Sequence, residues 1–260
     1  MRCGVTPETL ATVFAGIFGL LVGSFLNVCI VRLPADQSVV RPRSRCPRCE
    51  RPIAWYDNIP VVSWLLLRGK CRGCALPISP MYPAVELVTG ALWAWMMWRT
   101  PLELEAVRGA VFFTLLLGIA VTDARTYIIP DEFTLGGLVA GVLFALAGGL
   151  TTLVPSLLGA AVGFALLWTI GFLGHLILKE EAMGGGDVKM MAMVGAFLGW
   201  QGVLLTVFLG AFLGTLIFLP LSLIGRKKLV PFGVFLAAGA AATWIAGPAI
   251  IAWYRAYIGL

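Results

Sequence analysis

Long apolar runs, separated by short polar segments, extend along almost the whole chain. Of the 260 residues, 60% are hydrophobic and 12% are charged, which is more apolar sequence than a soluble domain of this length needs. Runs of about 17–25 apolar residues are typical of membrane-spanning helices. We therefore expect an all-α polytopic membrane protein. The pattern predicts about eight transmembrane helices, at residues 9–31, 83–99, 106–122, 133–150, 154–178, 188–200, 203–224 and 233–255.

Two of the predicted spans have distinctive features. The sixth is short and follows three consecutive glycines, a pattern that is compatible with a broken or tilted helix. The first is not followed by a small-residue cleavage site of the A-x-A kind. We therefore interpret the first span as a retained helix and not as a removed signal peptide.

One segment of the chain resembles a soluble module. Residues 32–82 follow the first span and are rich in Arg, Pro and Cys. The sequence therefore predicts three parts, which are a first transmembrane helix at 1–31, a cytosolic loop at 32–82 and a transmembrane bundle at 83–260.

The basic residues indicate the topology. Of the 19 Lys and Arg residues, 15 lie in the alternate loops 32–82, 123–132, 179–189 and 225–230. By the positive-inside rule these loops face the cytosol, and both termini face outward. The net charge of +6 therefore matches membrane topology and anionic lipid head groups. Since no basic run is interleaved with aromatic residues, we expect no nucleic-acid partner.

Two C-x2-C pairs, Cys46 with Cys49 and Cys71 with Cys74, lie in the predicted cytosolic loop. Each pair can direct two thiolates at one ion, and four thiolates form a closed tetrahedral zinc site. The alternative is a pair of redox dithiols or disulfides, which a reducing cytosol disfavours. A closed site leaves no position for water, so we expect a structural Zn²⁺ that holds the loop together.

The composition excludes several classes of hydrolase. His175 is the one histidine, and the chain contains no H-E-x-x-H helix, no G-x-S-x-G elbow and no Walker-type loop. The carboxylates are therefore the main candidates for chemistry in the bundle.

Two aspartates, Asp123 and Asp187, each lie where an apolar run meets a polar loop. An ionisable group at such a position is a functional candidate. Two adjacent carboxylates share one proton, since both cannot ionise cheaply. One carboxylate then activates water while the other protonates a scissile carbonyl. The pair predicts an aspartic protease, and the alternative for each residue alone is a capping or interfacial role.

Residues around Asp187 and Asp123 extend this interpretation. Gly184 and Gly186 belong to a glycine cluster whose backbone permits close approach of a substrate strand. Lys189 is placed to bias the charge of the pair or to bind a lipid phosphate. Asp131 and Glu132 are expected to cap the following helix.

Several segments together resemble one family, the type IV prepilin peptidases, which are similar to GxGD-type membrane aspartic proteases. Their motifs occur in the family's order and cover almost the whole chain. One departure is Val234, where the family more often has proline, and we expect little consequence. The matching segments are 23–28, the two C-x2-C pairs, 55–60, 63–65, 68–70, 82–83, 86–87, Asp123, 129–131, 184–189 and 231–233.

The resemblance implies a two-activity enzyme of the bacterial inner membrane with its active site facing the cytosol. The peptidase would remove the basic leader of prepilins and pseudopilins, with Asp123 and Asp187 as the catalytic pair. A second activity would methylate the new N-terminus with S-adenosylmethionine, and is associated with the cysteine loop.

Four residues are candidates for methyl transfer. Glu86, beside the cysteine loop, is placed to receive the substrate amine, and Asp57 and Asn58 to hydrogen-bond a ribose or amine. Gly69 permits close backbone approach. Capping and turn roles are the alternatives for each of the four, and no glycine-rich dinucleotide fingerprint is present.

Two other functions remain open from the residues. The first is a peptidase alone, with the zinc loop as a docking module. The second is an ion- or proton-coupled transporter or scaffold, because intramembrane carboxylates commonly serve such roles. Loss of cleavage when either aspartate is changed would exclude the transporter, and binding of S-adenosylmethionine would exclude the peptidase alone.

Overall fold

The computed structural model describes residues 6–101, 103–179, 183–223 and 231–259. These residues are mostly helical and contain no strand, which confirms the all-α prediction. The predicted basic loop at 225–230 lies outside the described residues. The α-helices are α1 Pro7–Arg32, α2 Val62–Leu66, α3 Met81–Arg99, α4 Leu104–Thr126, α5 Asp131–Ala147, α6 Leu150–Leu178, α7 Gly185–Leu223 and α8 Phe232–Ile258.

The predicted count of eight spans is not confirmed. Within the described ranges, five helices are long and apolar enough to cross a membrane, namely α1, α4, α6, α7 and α8. Helix α5 has 17 residues and is about 25 Å long at 1.5 Å per residue. It is therefore shorter than a hydrocarbon core of about 30 Å.

The sixth and seventh predicted spans follow one another within α7. The backbone leaves helical geometry at Gly199, with φ 71° and ψ 175°. This region of conformational space favours glycine because a Cβ would clash with the backbone. The glycine therefore divides α7 into two helical segments close to the predicted division at 200–203.

The chain divides into two compact units, Met1–Gly118 and Ile119–Leu260. In the first unit, α1 packs against α3 through small residues. A Cβ added to Gly23 would lie 2.7 Å from the Cα of Glu86, and one added to Gly19 would lie 2.9 Å from the Cα of Gly90. The two backbones therefore approach more closely than larger side chains would allow.

In the second unit, α7 packs against α5, α6 and α8. Helices α6 and α7 meet backbone to backbone, where a Cβ on Gly159 would collide with Gly195 and one on Gly163 with Met191. Small residues at such positions increase van der Waals contact between helices in lipid. This packing orders one end of the unit, where the last turn of α4 and the first turns of α7 and α8 lie.

Candidate active site and cysteine cluster

Asp123 lies near the end of α4 and is 5% exposed. Its Oδ2 atom accepts a hydrogen bond of 3.1 Å from the backbone N–H of Val234, which is 111 residues away in the chain. A Cβ on Gly233 would lie 2.9 Å from the same oxygen. The carboxylate therefore lies directly against the first turn of α8.

The start of α8 is suited to a negative charge. Helix α8 begins at Phe232, so Val234 is its third residue. The first four N–H groups of a helix have no partner within the helix, and the helix dipole places partial positive charge at this end. The amide that contacts Asp123 is thus a free donor that stabilises an anion.

Asp187 lies in the first turn of α7, which begins at Gly185. Its Oδ1 atom is buried and has no hydrogen-bond partner among the described residues. A Cβ on Gly184 would lie 3.2 Å from its Oδ2 atom. One face of the carboxylate is therefore left without a protein donor.

Ile129 connects the surroundings of the two aspartates. A Cβ on Gly186 would lie 2.9 Å from the Cβ of Ile129, and one on Gly233 would lie 2.7 Å from its Cδ1. The charge of Asp123 also acts on the carboxylate of Asp187. The structure thus brings the two aspartates, which are far apart in sequence, into one neighbourhood.

Lys189 binds a different carboxylate. Its Nζ atom lies 2.7 Å from both Oδ1 and Oδ2 of Asp131. Pro130 is the N-cap of α5 and makes no side-chain cap bond, while Asp131 and Glu132 lie in the first turn. The predicted capping role is therefore limited to a favourable interaction with the helix dipole. Sequence reasoning missed the ion pair between Lys189 and Asp131.

The four loop cysteines form one cluster. Their Sγ atoms all lie within 4.8 Å of one another. The Sγ atoms of Cys46 and Cys74 are 3.9 Å apart, and those of Cys49 and Cys71 are 4.0 Å apart. Four sulfurs at about 2.3 Å from a tetrahedral zinc lie about 3.8 Å from one another. The cluster fits a four-thiolate metal site, and its thiols are not joined as disulfides.

The two cysteine pairs have the same backbone geometry. Cys46 N donates to Arg51 O and Glu50 N donates to Cys46 O, at 3.0 and 2.9 Å. The second pair repeats both bonds 25 residues later, from Cys71 to Leu76 and from Ala75 to Cys71, each 2.9 Å. Each pair is therefore a knuckle that turns its two sulfurs to the same side.

Knuckle geometry also favours a thiolate. Backbone N–H groups of Cys49 and Arg48 lower the pKa of Cys46 to about 6, whereas burial and the neighbouring thiols raise the pKa of Cys74 to about 11. The cluster thus holds one readily ionised thiol, which is the form that metals bind.

Glu86 lies on α3 and is 9% exposed. Its Oε2 atom accepts a hydrogen bond of 2.7 Å from the N–H of Val61, and the Ser24 hydroxyl of α1 also acts on its carboxylate. Val61 has φ 61°, which is strained for a β-branched residue. The carboxylate thus holds a strained turn of the cysteine loop against α3.

Asn27 belongs to the matching segment 23–28, but sequence reasoning gave it no role at the site. It lies one turn after Ser24 on α1 and is 4% exposed. Its Nδ2 donates to the carbonyl of Tyr82 at 2.9 Å, while its Oδ1 has no partner among the described residues. The available signal was a polar amide inside an apolar run.

The other methyl-transfer candidates lie within the loop. Asp57 forms a bidentate pair with Arg72, at 2.8 and 2.7 Å, and this hydrogen-bonded partner lowers the pKa of Asp57. Gly69 has φ 68°, and a Cβ there would lie 2.9 Å from Trp64. Asn58 is exposed. In the described part of the chain no hydrogen bond or ion pair joins Glu86 to Asp57, Asn58 or Gly69.

Fold and site together define a class, a multi-pass helical membrane protein with two neighbouring aspartates and a four-cysteine loop after its first helix. Residues 17–100 match the Bacterial Peptidase A24 N-terminal domain, and residues 110–219 match the Type IV leader peptidase family. The chain belongs to the type IV leader peptidase family, which confirms the resemblance seen in its motifs.

Curated relatives carry the name prepilin leader peptidase/N-methyltransferase. The one from Myxococcus xanthus (strain DK1622) is 46% identical over 84% of this chain, and the match spans 66% of that relative. The one from Aeromonas hydrophila is 36% identical over 92% of this chain and 91% of the relative. The one from Klebsiella pneumoniae is 40% identical over 76% of this chain and 90% of the relative. No solved structure matches the chain with significance.

Proposed function

We propose that this protein cleaves the leader of prepilins and pseudopilins at the cytosolic face of the bacterial inner membrane, and then methylates the new N-terminal amine with S-adenosylmethionine. The observation that carries the peptidase is the neighbourhood of Asp123 and Asp187, linked through Ile129. Membership of the leader peptidase family supports it.

Cleavage requires a base and an acid at one carbonyl. One aspartate, ionised, removes a proton from water as the oxygen attacks the scissile carbonyl carbon. The other, protonated, donates its proton to the carbonyl oxygen. In the second step the tetrahedral carbon expels the amine, which takes up the proton that the first aspartate received, and as the carbonyl reforms its hydroxyl returns its proton to the second aspartate. Two carboxylates that share one proton supply both groups.

The glycine cluster leaves room for a substrate strand. A Cβ added to Gly185 would meet no atom of the described residues within 4 Å, whereas one on Gly186 would press on Ile129. One side of the cluster therefore packs against the protein and the other faces no described residue. An extended leader segment approaching that other side would reach Asp187, which is two residues further along the chain.

The substrate chemistry matches this position. A site where apolar helices end would meet the junction between a basic, water-exposed leader and an apolar segment in the membrane. The predicted cytosolic orientation follows from the distribution of Lys and Arg. Lipids at this boundary would be the other direct partners of the protein.

The metal of the cysteine cluster is proposed to be zinc. Cys46, Cys49, Cys71 and Cys74 would hold it, and their spacing fits tetrahedral thiolate coordination. Zinc supplies a structural cross-link there, because four protein ligands leave no open position. The residues between the knuckles contain a short 3-10 helix, Trp55–Asn58, and α2. The cross-link would hold these two elements together.

For methyl transfer, Glu86 is the proposed acceptor of the substrate amine. Asn27 of α1 contacts the carbonyl of Tyr82, one helical turn before Glu86 on α3. Its Oδ1 atom, which has no partner among the described residues, is therefore a second acceptor near the buried carboxylate of Glu86. Two such acceptors suit an amine, and the carboxylate can take a proton from it. S-adenosylmethionine supplies the methyl group when bound. Asp57, Asn58 and Gly69 remain proposed contacts in the same unit.

The test is cleavage of a prepilin by purified enzyme in detergent or lipid. Asp123→Asn and Asp187→Asn are each expected to lose cleavage by at least about 100-fold, while Asp131→Asn, a matched acid outside the pair, retains it. Mass spectrometry of the product reports the added methyl group. Cleavage that persists in either catalytic variant would exclude the aspartate pair as the catalytic groups. Absence of cleavage by the wild-type enzyme would favour an ion- or proton-coupled transporter or scaffold, and cleavage without methylation or cofactor binding would favour a peptidase alone.

A further inference from the structure

We infer that Val234 is a positioning residue for cleavage, because its backbone N–H fixes Asp123 as the ionised member of the pair and leaves the shared proton on Asp187. The inference rests on the proposed peptidase function. It assigns the base that activates water to Asp123 and the acid that protonates the scissile carbonyl to Asp187.

The two carboxylates have different hydrogen-bond environments. Asp123 accepts a 3.1 Å bond from Val234 N–H at the start of α8. The backbone N–H of Gly184 acts on the carboxylate of Asp187, but its buried Oδ1 has no donor among the described residues. A donor directed at a carboxylate stabilises its charged form. Both aspartates lie at a helix N-terminus, whose partial positive charge favours each anion, so the asymmetry rests on the bond from Val234 and on the Oδ1 of Asp187 to which no described residue donates. The single negative charge of the pair therefore resides on Asp123.

The remaining ionisable groups do not reverse this asymmetry. On α7, Lys189 is already paired with Asp131 of α5 at 2.7 Å. The described first turn of α8 has no ionisable side chain. Among the described residues, the other ionisable side chains near these elements are exposed, namely Arg125, Tyr127 and Glu132.

Proline at position 234 would remove this donor with little other change. Val234 is the third helical residue, so its N–H has no partner within α8 and a proline ring is tolerated there. The preceding residue is Gly233, and the absence of a Cβ reduces its clash with a following proline. Val234 N–H is a backbone contact to Asp123 and not to substrate, so it is expected to adjust the reaction without being essential for it.

Val234→Pro is compared with Val234→Ala, which retains the N–H. Among the described residues, loss of the Val234 donor leaves only the N–H of Gly233 acting on Asp123, so the acidic limb of the kcat–pH profile is expected to move upward by up to about one pH unit. At pH values below the limb, a shift of about one pH unit lowers the ionised fraction of the base, and with it kcat, about tenfold. KM stays near the wild-type value, because Val234 N–H contacts Asp123 and not substrate. Val234→Ala keeps the wild-type profile.

A second variant excludes a simple folding defect. Replacing residue 234 by the α-hydroxy analogue of valine, through nonsense suppression, turns the amide into an ester and keeps the side chain. The ester is expected to shift the profile as proline does. A wild-type profile in the ester variant, or an equal shift in Val234→Ala, would overturn the inference. If wild-type enzyme itself cleaves no prepilin, the proposed function fails, and not this assignment alone.

Discussion

Lys189 lies 2.7 Å from both carboxylate oxygens of Asp131. The pair joins the first turn of α7 to the first turn of α5, next to Asp187. From the sequence, Lys189 is expected to bias the charge of the aspartate pair or to bind a lipid phosphate. In the structure its charge is taken up by Asp131, so we assign it to positioning the start of α7.

This ion pair is expected to have a modest effect. Its side chains are 38% and 53% exposed, and exposed pairs contribute about 0.2–1 kcal/mol. Lys189→Met should therefore reduce cleavage by less than about fivefold, far less than loss of either catalytic aspartate. The double variant Asp131→Lys, Lys189→Asp should recover part of the loss. A complete loss of cleavage in Lys189→Met would instead place Lys189 in the reaction itself.

Adjacent glycines give a matched test of the cluster before Asp187. Gly186→Ala forces a Cβ to within 2.9 Å of Ile129, whereas Gly185→Ala meets no atom within 4 Å. Both changes raise helix propensity by about 1 kcal/mol, so their difference reports the contact. We expect Gly186→Ala to lower kcat/KM by about tenfold to 100-fold, since small displacements of catalytic groups are costly. Gly185→Ala should keep the folded state and kcat, with any loss confined to KM because this side faces the proposed substrate strand. An equal loss of kcat in the two variants would contradict this packing.

Metal analysis tests the cysteine cluster. Purified protein is expected to contain one zinc per chain, as measured by inductively coupled plasma mass spectrometry. Cys74→Ser removes a ligand and should lower zinc content severalfold, whereas Cys29→Ala, outside the cluster, should not. Without the cross-link, the loop at 33–80 should become sensitive to protease. Retention of full zinc in Cys74→Ser would show that the metal binds elsewhere.

Glu86→Gln tests the proposed amine acceptor. The change keeps the shape of the side chain but removes the carboxylate that can take a proton, so methylation should fall by about 100-fold or more. Cleavage should be unchanged, because the contacts of Glu86 lie in Met1–Gly118 and the aspartate pair in Ile119–Leu260. Glu103→Gln, an exposed acid of the same unit, is the control. Normal methylation in Glu86→Gln would restrict Glu86 to holding the turn at Val61.

The apolar runs and the cysteine pairs were readable from sequence because both are local patterns. A helix of sufficient length and hydropathy is stable in lipid without knowledge of its neighbours, and a C-x2-C turn directs its two sulfurs by itself. The number of spans was less certain. Helix α5, with 17 residues, and the break at Gly199 depend on how the helices pack, and the predicted count of eight was not confirmed.

The sequence by itself determined that this protein is helical, lies in a membrane, carries a cysteine cluster and has two candidate aspartates. Only the tertiary structure decided what each of them contacts. Val234 reaches Asp123 across 111 residues, Val61 reaches Glu86 across 25 residues, and Lys189 pairs with Asp131 across 58 residues. Such contacts depend on the relative placement of helix ends, which local hydropathy and spacing do not encode. Packing of small residues between helices sets that placement.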